Sequence, residues 1–60
     1  PGDYRVLDRS SGKALGVLTR SAFGWAVRED PWDIGCVGRT FSRLRDGAWF
    51  LWLNTGESDV

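Results

Sequence analysis

The sequence has no histidine and no methionine, and its single cysteine is Cys36. One thiol excludes an internal disulfide. The missing imidazole excludes His-based catalytic triads and the usual zinc-binding sets. Net charge is missing too, with eight Lys and Arg set against eight Asp and Glu. No bulk attraction to nucleic acid or to an anionic membrane follows from composition, so any charge argument has to be local. The longest strongly apolar run, Ala48 to Leu53, falls far short of the roughly 20 residues that span a bilayer. No basic, apolar, small-residue leader stands at the N-terminal end, and a lone thiol suits a reducing compartment, so a cytoplasmic location is expected. The Arg-, Gly- and Trp-rich, Lys-poor composition suits a GC-rich genome, such as that of an actinobacterium or its phage.

What is there is aromatic and apolar: 42% hydrophobic residues and four tryptophans in 60 residues, a globular balance far from that of disordered chains. A chain of this length buries at best about 60% of its unfolded surface. Without a disulfide or metal, stability has to come from an aromatic-rich core or from a partner. Residues 1–60 are expected to form one small domain, with 1–3 and 55–60 frayed.

Tyr4 to Arg9 alternates apolar and charged residues, and Ser10-Ser11-Gly12-Lys13 follows as turn chemistry. Ala14 to Arg20 and Phe23 to Glu29 read as the next two strands. Asp30-Pro31-Trp32-Asp33 breaks the pattern, because proline fixes its own φ and pushes the preceding residue toward extended geometry. Ile34 to Gly38 suits a short edge strand or a loop. Thr40 to Leu53 fits two templates. As a helix it aligns Phe41, Leu44, Ala48, Leu51 and Trp52 on one stripe, with Thr40 or Ser42 as cap. As a hairpin it would turn at Asp46-Gly47, a glycine that costs a helix about 1 kcal/mol. The helix is the better fit, because a meander's apolar face needs a cover. The fold expected is therefore α+β: a small antiparallel three- or four-stranded β-meander packed on one C-terminal helix. A small all-β barrel is the alternative.

Residues suited to catalysis are few. Cys36 lies between glycine and valine with no base to activate it and reads as a buried, inert thiol. Glu29, Asp30 and Asp33 lack the spacing of a calcium loop and read as a solvated acidic loop. Gly35 and Gly38 lack the context of a phosphate-binding loop. No enzymatic activity, no cofactor and no metal site is expected.

Strict strand parity would turn Tyr4, Val6, Leu15, Val17, Phe23, Trp25 and Val27 inward, and Arg5, Leu7, Arg9, Leu18, Arg20, Ala26 and Arg28 outward. Arg5, Arg9, Arg20 and Arg28 on one sheet face would straddle phosphates and reach base edges in a major groove of duplex DNA. The alternative is that they only keep an exposed face soluble. Trp25 reads as core and Trp52 as part of the helix stripe. Trp32, in a polar turn, and Trp49, off the stripe, are the candidates for exposure. Exposed tryptophans anchor interfaces, so Trp32, Trp49 and Trp52 with the apolar tail carry the second functional expectation, a protein partner or self-association.

Gly24-Trp25-Ala26-Val27-Arg28-Glu29-Asp30-Pro31, then Val37-Gly38-Arg39-Thr40-Phe41 and a helix containing Ala48, resemble the AP2/integrase-type DNA-binding domains. The resemblance covers roughly residues 15 to 53. It rests on one tryptophan strand, a glycine ahead of Thr-Phe and an alanine in the helix. It implies a three-stranded sheet packed on a helix that lays its face in the major groove, with Arg20 and Arg28 as DNA contacts. An extra N-terminal strand would add Arg5 and Arg9.

Overall fold

The computed structural model describes residues 2–55. Strands β1 (Asp3–Leu7), β2 (Ala14–Ser21), β3 (Gly24–Glu29) and β4 (Thr40–Phe41) form one antiparallel sheet in the order β1-β2-β3-β4, and helix α1 (Leu44–Asn54) packs on one side of it. This is the α+β meander with a C-terminal helix; Asp46 and Gly47 lie inside α1, so the barrel alternative does not form. Ile34 to Gly38 is loop, and the edge strand is instead Thr40–Phe41, with Gly38 N–H donating to the Val27 carbonyl and Val27 N–H to that of Arg39. Among the described residues no helix is long and apolar enough to cross a membrane.

Each connection follows from local chemistry. After β1, the Asp8 carboxylate accepts the Ser10 N–H at 2.8 Å and the Asp8 carbonyl accepts that of Gly12 at 2.7 Å. Between β2 and β3, Ser21 and Gly24 oppose each other across Ala22-Phe23. Gly24 has φ 116°, the left-handed glycine that commonly closes a type I hairpin turn.

Two irregularities of register decide which side chains reach the core. Val6 opposes Gly16 but Leu7 opposes Ala14, so Leu15 bulges from β2; Val17 opposes Glu29 but Leu18 opposes Val27, so Arg28 bulges from β3. A bulge places two residues against one and breaks period-two alternation. Leu15, Gly16 and Leu18 are consequently all buried. This corrects the strict parity reading: Leu18 is fully buried, and Val17 moves to the other face, opposite Arg5. Phe23 is not inward either; it sits at the hairpin tip, 82% exposed.

The core consists of Leu15, Leu18, Val27, Cys36 and Leu51, flanked by Val6, Trp25, Ile34, Phe41, Leu44, Ala48 and Phe50. Helix and sheet meet through two glycine seats. A Cβ on Gly47 would lie 2.9 Å from Leu18 Cδ1, and one on Gly16 would lie 2.9 Å from Leu51 Cδ1. Each leucine fills the space left by the other element's glycine, which accounts for a helix carrying glycine at its buried centre.

The helix starts later than Thr40 because Thr40 and Phe41 are engaged in β4. Arg43 is the N-cap residue, and neither Thr40 nor Ser42 takes that place; Arg43 makes no side-chain capping bond. At the other end Thr55 Oγ1 donates to the Leu51 carbonyl at 2.6 Å and is buried. Thr55 and Asp3, both expected to fray, are therefore in ordered structure; residues 1 and 56–60 lie outside the described range.

Candidate functional site

The four arginines do not share a face. Arg5 stands opposite Val17, and Arg28 forms an ion pair with Asp3 across the sheet side that α1 does not cover. Arg20 opposes Trp25, which opposes Phe41, so Arg20 lies on the helix side, its guanidinium 5.5 Å from the Trp25 ring centre. Tyr4 meets the same indole edge-on at 5.2 Å. Arg9 lies beyond β1, in the turn. The physical cause is again the register: β2 changes parity at the Leu15 bulge, and β1 ends at Leu7. The uncovered face keeps Arg5 and Arg28, with Thr19, Ala26 and Thr40 between and beside them.

The tryptophans separate into two roles. Trp32 is 39% exposed, and its Nε1 donates to the Ala14 carbonyl at 2.9 Å. Trp32 thus ties the loop after β3 to the start of β2, a structural bond rather than a free anchor. Trp49 is 61% exposed and Trp52 39%. Their rings stack at 5.3 Å, 30° from parallel, as an i, i+3 pair on one helix face allows. Trp52 is therefore exposed rather than core; the centre of the buried stripe is Gly47 and Leu51.

Beside the stacked pair lies an open groove of about 280 Å³ between α1 and the β1 side of the sheet, lined by Val6, Leu7, Leu15, Arg45, Ala48, Trp49 and Trp52. Helix α1 packs on β2, β3 and β4, leaving β1 beside it rather than beneath it. Six of the seven lining side chains are apolar. The seventh, Arg45, makes no ion pair among the described residues. Sequence reading found Trp49 and Trp52 but not Leu7 and Arg45 as their neighbours. The pattern that could have found the site is the tryptophan pair at i, i+3 flanking a helix whose buried stripe lies elsewhere.

The loop after β3 is organised by Asp30. Its Oδ2 accepts the N–H groups of Gly35 at 2.8 Å and Cys36 at 3.3 Å. Burial acts to raise the Asp30 carboxyl, but the N–H groups of Ile34, Cys36 and Gly35 outweigh it, leaving the pKa below the ordinary value. Burial, reinforced by the charge of Asp30, pushes the Cys36 thiol up, so it stays protonated and unreactive. Among the described residues no three His, Cys, Asp or Glu side chains converge as metal ligands. A depressed folded pKa means that Asp30 adds stability above about pH 3.9, the unfolded value, and that this is lost as pH falls through the folded value. Asp30→Asn is expected to flatten the acid limb of stability, read as the urea midpoint between about pH 2 and pH 5.

No family model, curated protein or solved structure matches this chain.

Proposed function

We propose that this chain is a non-enzymatic protein-interaction module that docks a partner in the groove between β1 and α1. The observation that carries this reading is the stacked Trp49–Trp52 pair, exposed beside an apolar groove. Large aromatic side chains contribute most of the energy of many interfaces when a partner desolvates them, and a small domain rarely leaves two indoles in water without a use for them. The absence of histidine and the burial of the single thiol support a binding rather than a catalytic role.

The test is selection of phage-displayed random dodecapeptides on the whole immobilised chain and, in parallel, on Trp49→Ser. Losing the stacked pair costs about 0.5–1.5 kcal/mol, and a cooperative melting transition above the selection temperature establishes that the variant is folded. Peptides enriched on the parent and not on the variant are expected. Equal enrichment on both would place recognition elsewhere.

A second reading, duplex DNA binding, is favoured by the uncovered sheet face with Arg5 and Arg28. Arg28 is already paired with Asp3, and Arg9 and Arg20 lie off that face, so two phosphate contacts are the most it offers. Binding would then weaken with a log–log salt slope near about −1.8.

A further inference from the structure

The groove borders a sheet edge, and this juxtaposition defines what it can hold. Strand β1 ends the order β1-β2-β3-β4. Gly2 accepts the Arg20 N–H at 2.7 Å, and Tyr4 and Val6 follow at alternate pairs opposite Leu18 and Gly16. Antiparallel alternation then turns the backbone N–H and C=O of Arg5 and Leu7 away from β2, to the free edge. On the helix side of that edge lie Val6, Trp49 and Trp52, with Leu7 lining the groove at the end of β1; on the uncovered side stands Arg5.

Resting on the interaction reading above, we propose that the occupant is an extended segment of a partner protein that adds to β1 as a fifth strand and alternates apolar with acidic residues. Its apolar side chains enter the groove against Trp49 and Trp52. Its acidic ones face Arg5 on the other side. Alternation of side chains along a strand serves both surfaces at once, while main-chain hydrogen bonds supply the pairing. A second copy of this chain is the poorer occupant: two β1 edges paired about a two-fold centred on Arg5 would set Arg5 against Arg5, and like charges directly opposed are destabilising, while the register centred on Tyr4 would set Arg5 against Asp3, a carboxylate already paired with Arg28.

The experiment is fluorescence anisotropy of the whole chain with four labelled octapeptides: alternating valine and glutamate, alternating valine and lysine, and the valine–glutamate peptide N-methylated at every second amide in each of the two phases. The valine–glutamate peptide is expected to bind, the lysine peptide at least tenfold more weakly, and one methylation phase at least tenfold more weakly than the other. Arg5→Glu, an exposed change, is expected to reverse the preference between glutamate and lysine. Valine–glutamate binding that is abolished by Trp49→Ser yet equal in both methylation phases overturns strand addition and leaves the groove reading intact. No binding of the valine–glutamate peptide overturns the inference, and the dodecapeptide selection then decides the groove reading separately. Reversible dimerisation abolished by Trp49→Ser would assign the groove to a second copy and also overturn it.

Discussion

Leu18→Ala is expected to remove most of the folding free energy and to lower the urea midpoint steeply at 25 °C. Leu18 is fully buried, opposes Tyr4 on one side and Val27 on the other, and reaches into the space above Gly47. Truncating such a leucine costs about 2–5 kcal/mol, and a core of this size rarely supplies more than about 3–5 kcal/mol in total. The companion substitution tests the geometry itself. A methyl on Gly47 would gain about 1 kcal/mol of helix propensity. It would also stand 2.9 Å from Leu18 Cδ1 and 3.2 Å from Phe41 Cδ1, and overpacking costs about 1–3 kcal/mol. Gly47→Ala should therefore destabilise the parent and stabilise Leu18→Ala, a reversal of sign in a double-mutant cycle followed by far-UV circular dichroism in urea. Stabilisation in both backgrounds would mean that the seat is not tight.

The second large effect concerns Gly24. Its φ of 116° is unsuited to L side chains, and an added Cβ would lie 2.3 Å from the Phe41 carbonyl oxygen. That oxygen belongs to the backbone of β4, so relief requires β4 to move away from the hairpin. Gly12 provides the control, because its φ is 77° and nothing lies within 4 Å of an added Cβ. Gly12→Ala should show the conformational penalty alone, about 1–2 kcal/mol. Gly24→Ala should exceed it by a further 1–3 kcal/mol or so, the cost of overpacking, and lower the melting temperature accordingly. Equal costs at the two positions would show that β4 is not held against the hairpin.

Much of the fold is legible in the sequence because local signals agree with one another. The turn residues after Leu7, the Trp25 strand, the break at Asp30-Pro31 and the helical stripe ending at Trp52 each lie close to where the elements form. The helix wins over the Asp46-Gly47 hairpin for a reason no local propensity contains, since Gly47 is needed to admit Leu18. Parity fails where pairing is non-local. The Leu15 bulge in β2 is specified by its pairing with β1, so counting by twos from Leu15 sends Leu18 the wrong way and gathers Arg20 with Arg5. Thr40 and Phe41 read as the start of a helix because a two-residue edge strand has too little pattern to show itself. The candidate site is half legible: exposed Trp49 is visible from its place off the stripe, whereas Leu7 and Arg45 join it only once β1 lies beside α1.

The groove is tested most directly by titrating the isotope-labelled chain with the peptides that the selection enriches, following every amide and the four indole N–H signals. Shifts and broadening should gather on Val6, Leu7, Leu15, Arg45, Ala48, Trp49 and Trp52, with the indoles of Trp49 and Trp52 moving and that of Trp32, held to the Ala14 carbonyl, staying in place. Perturbations gathered instead on Thr19, Ala26, Arg28 and Thr40, with Trp49 and Trp52 unmoved, would contradict the account and assign recognition to the uncovered sheet face.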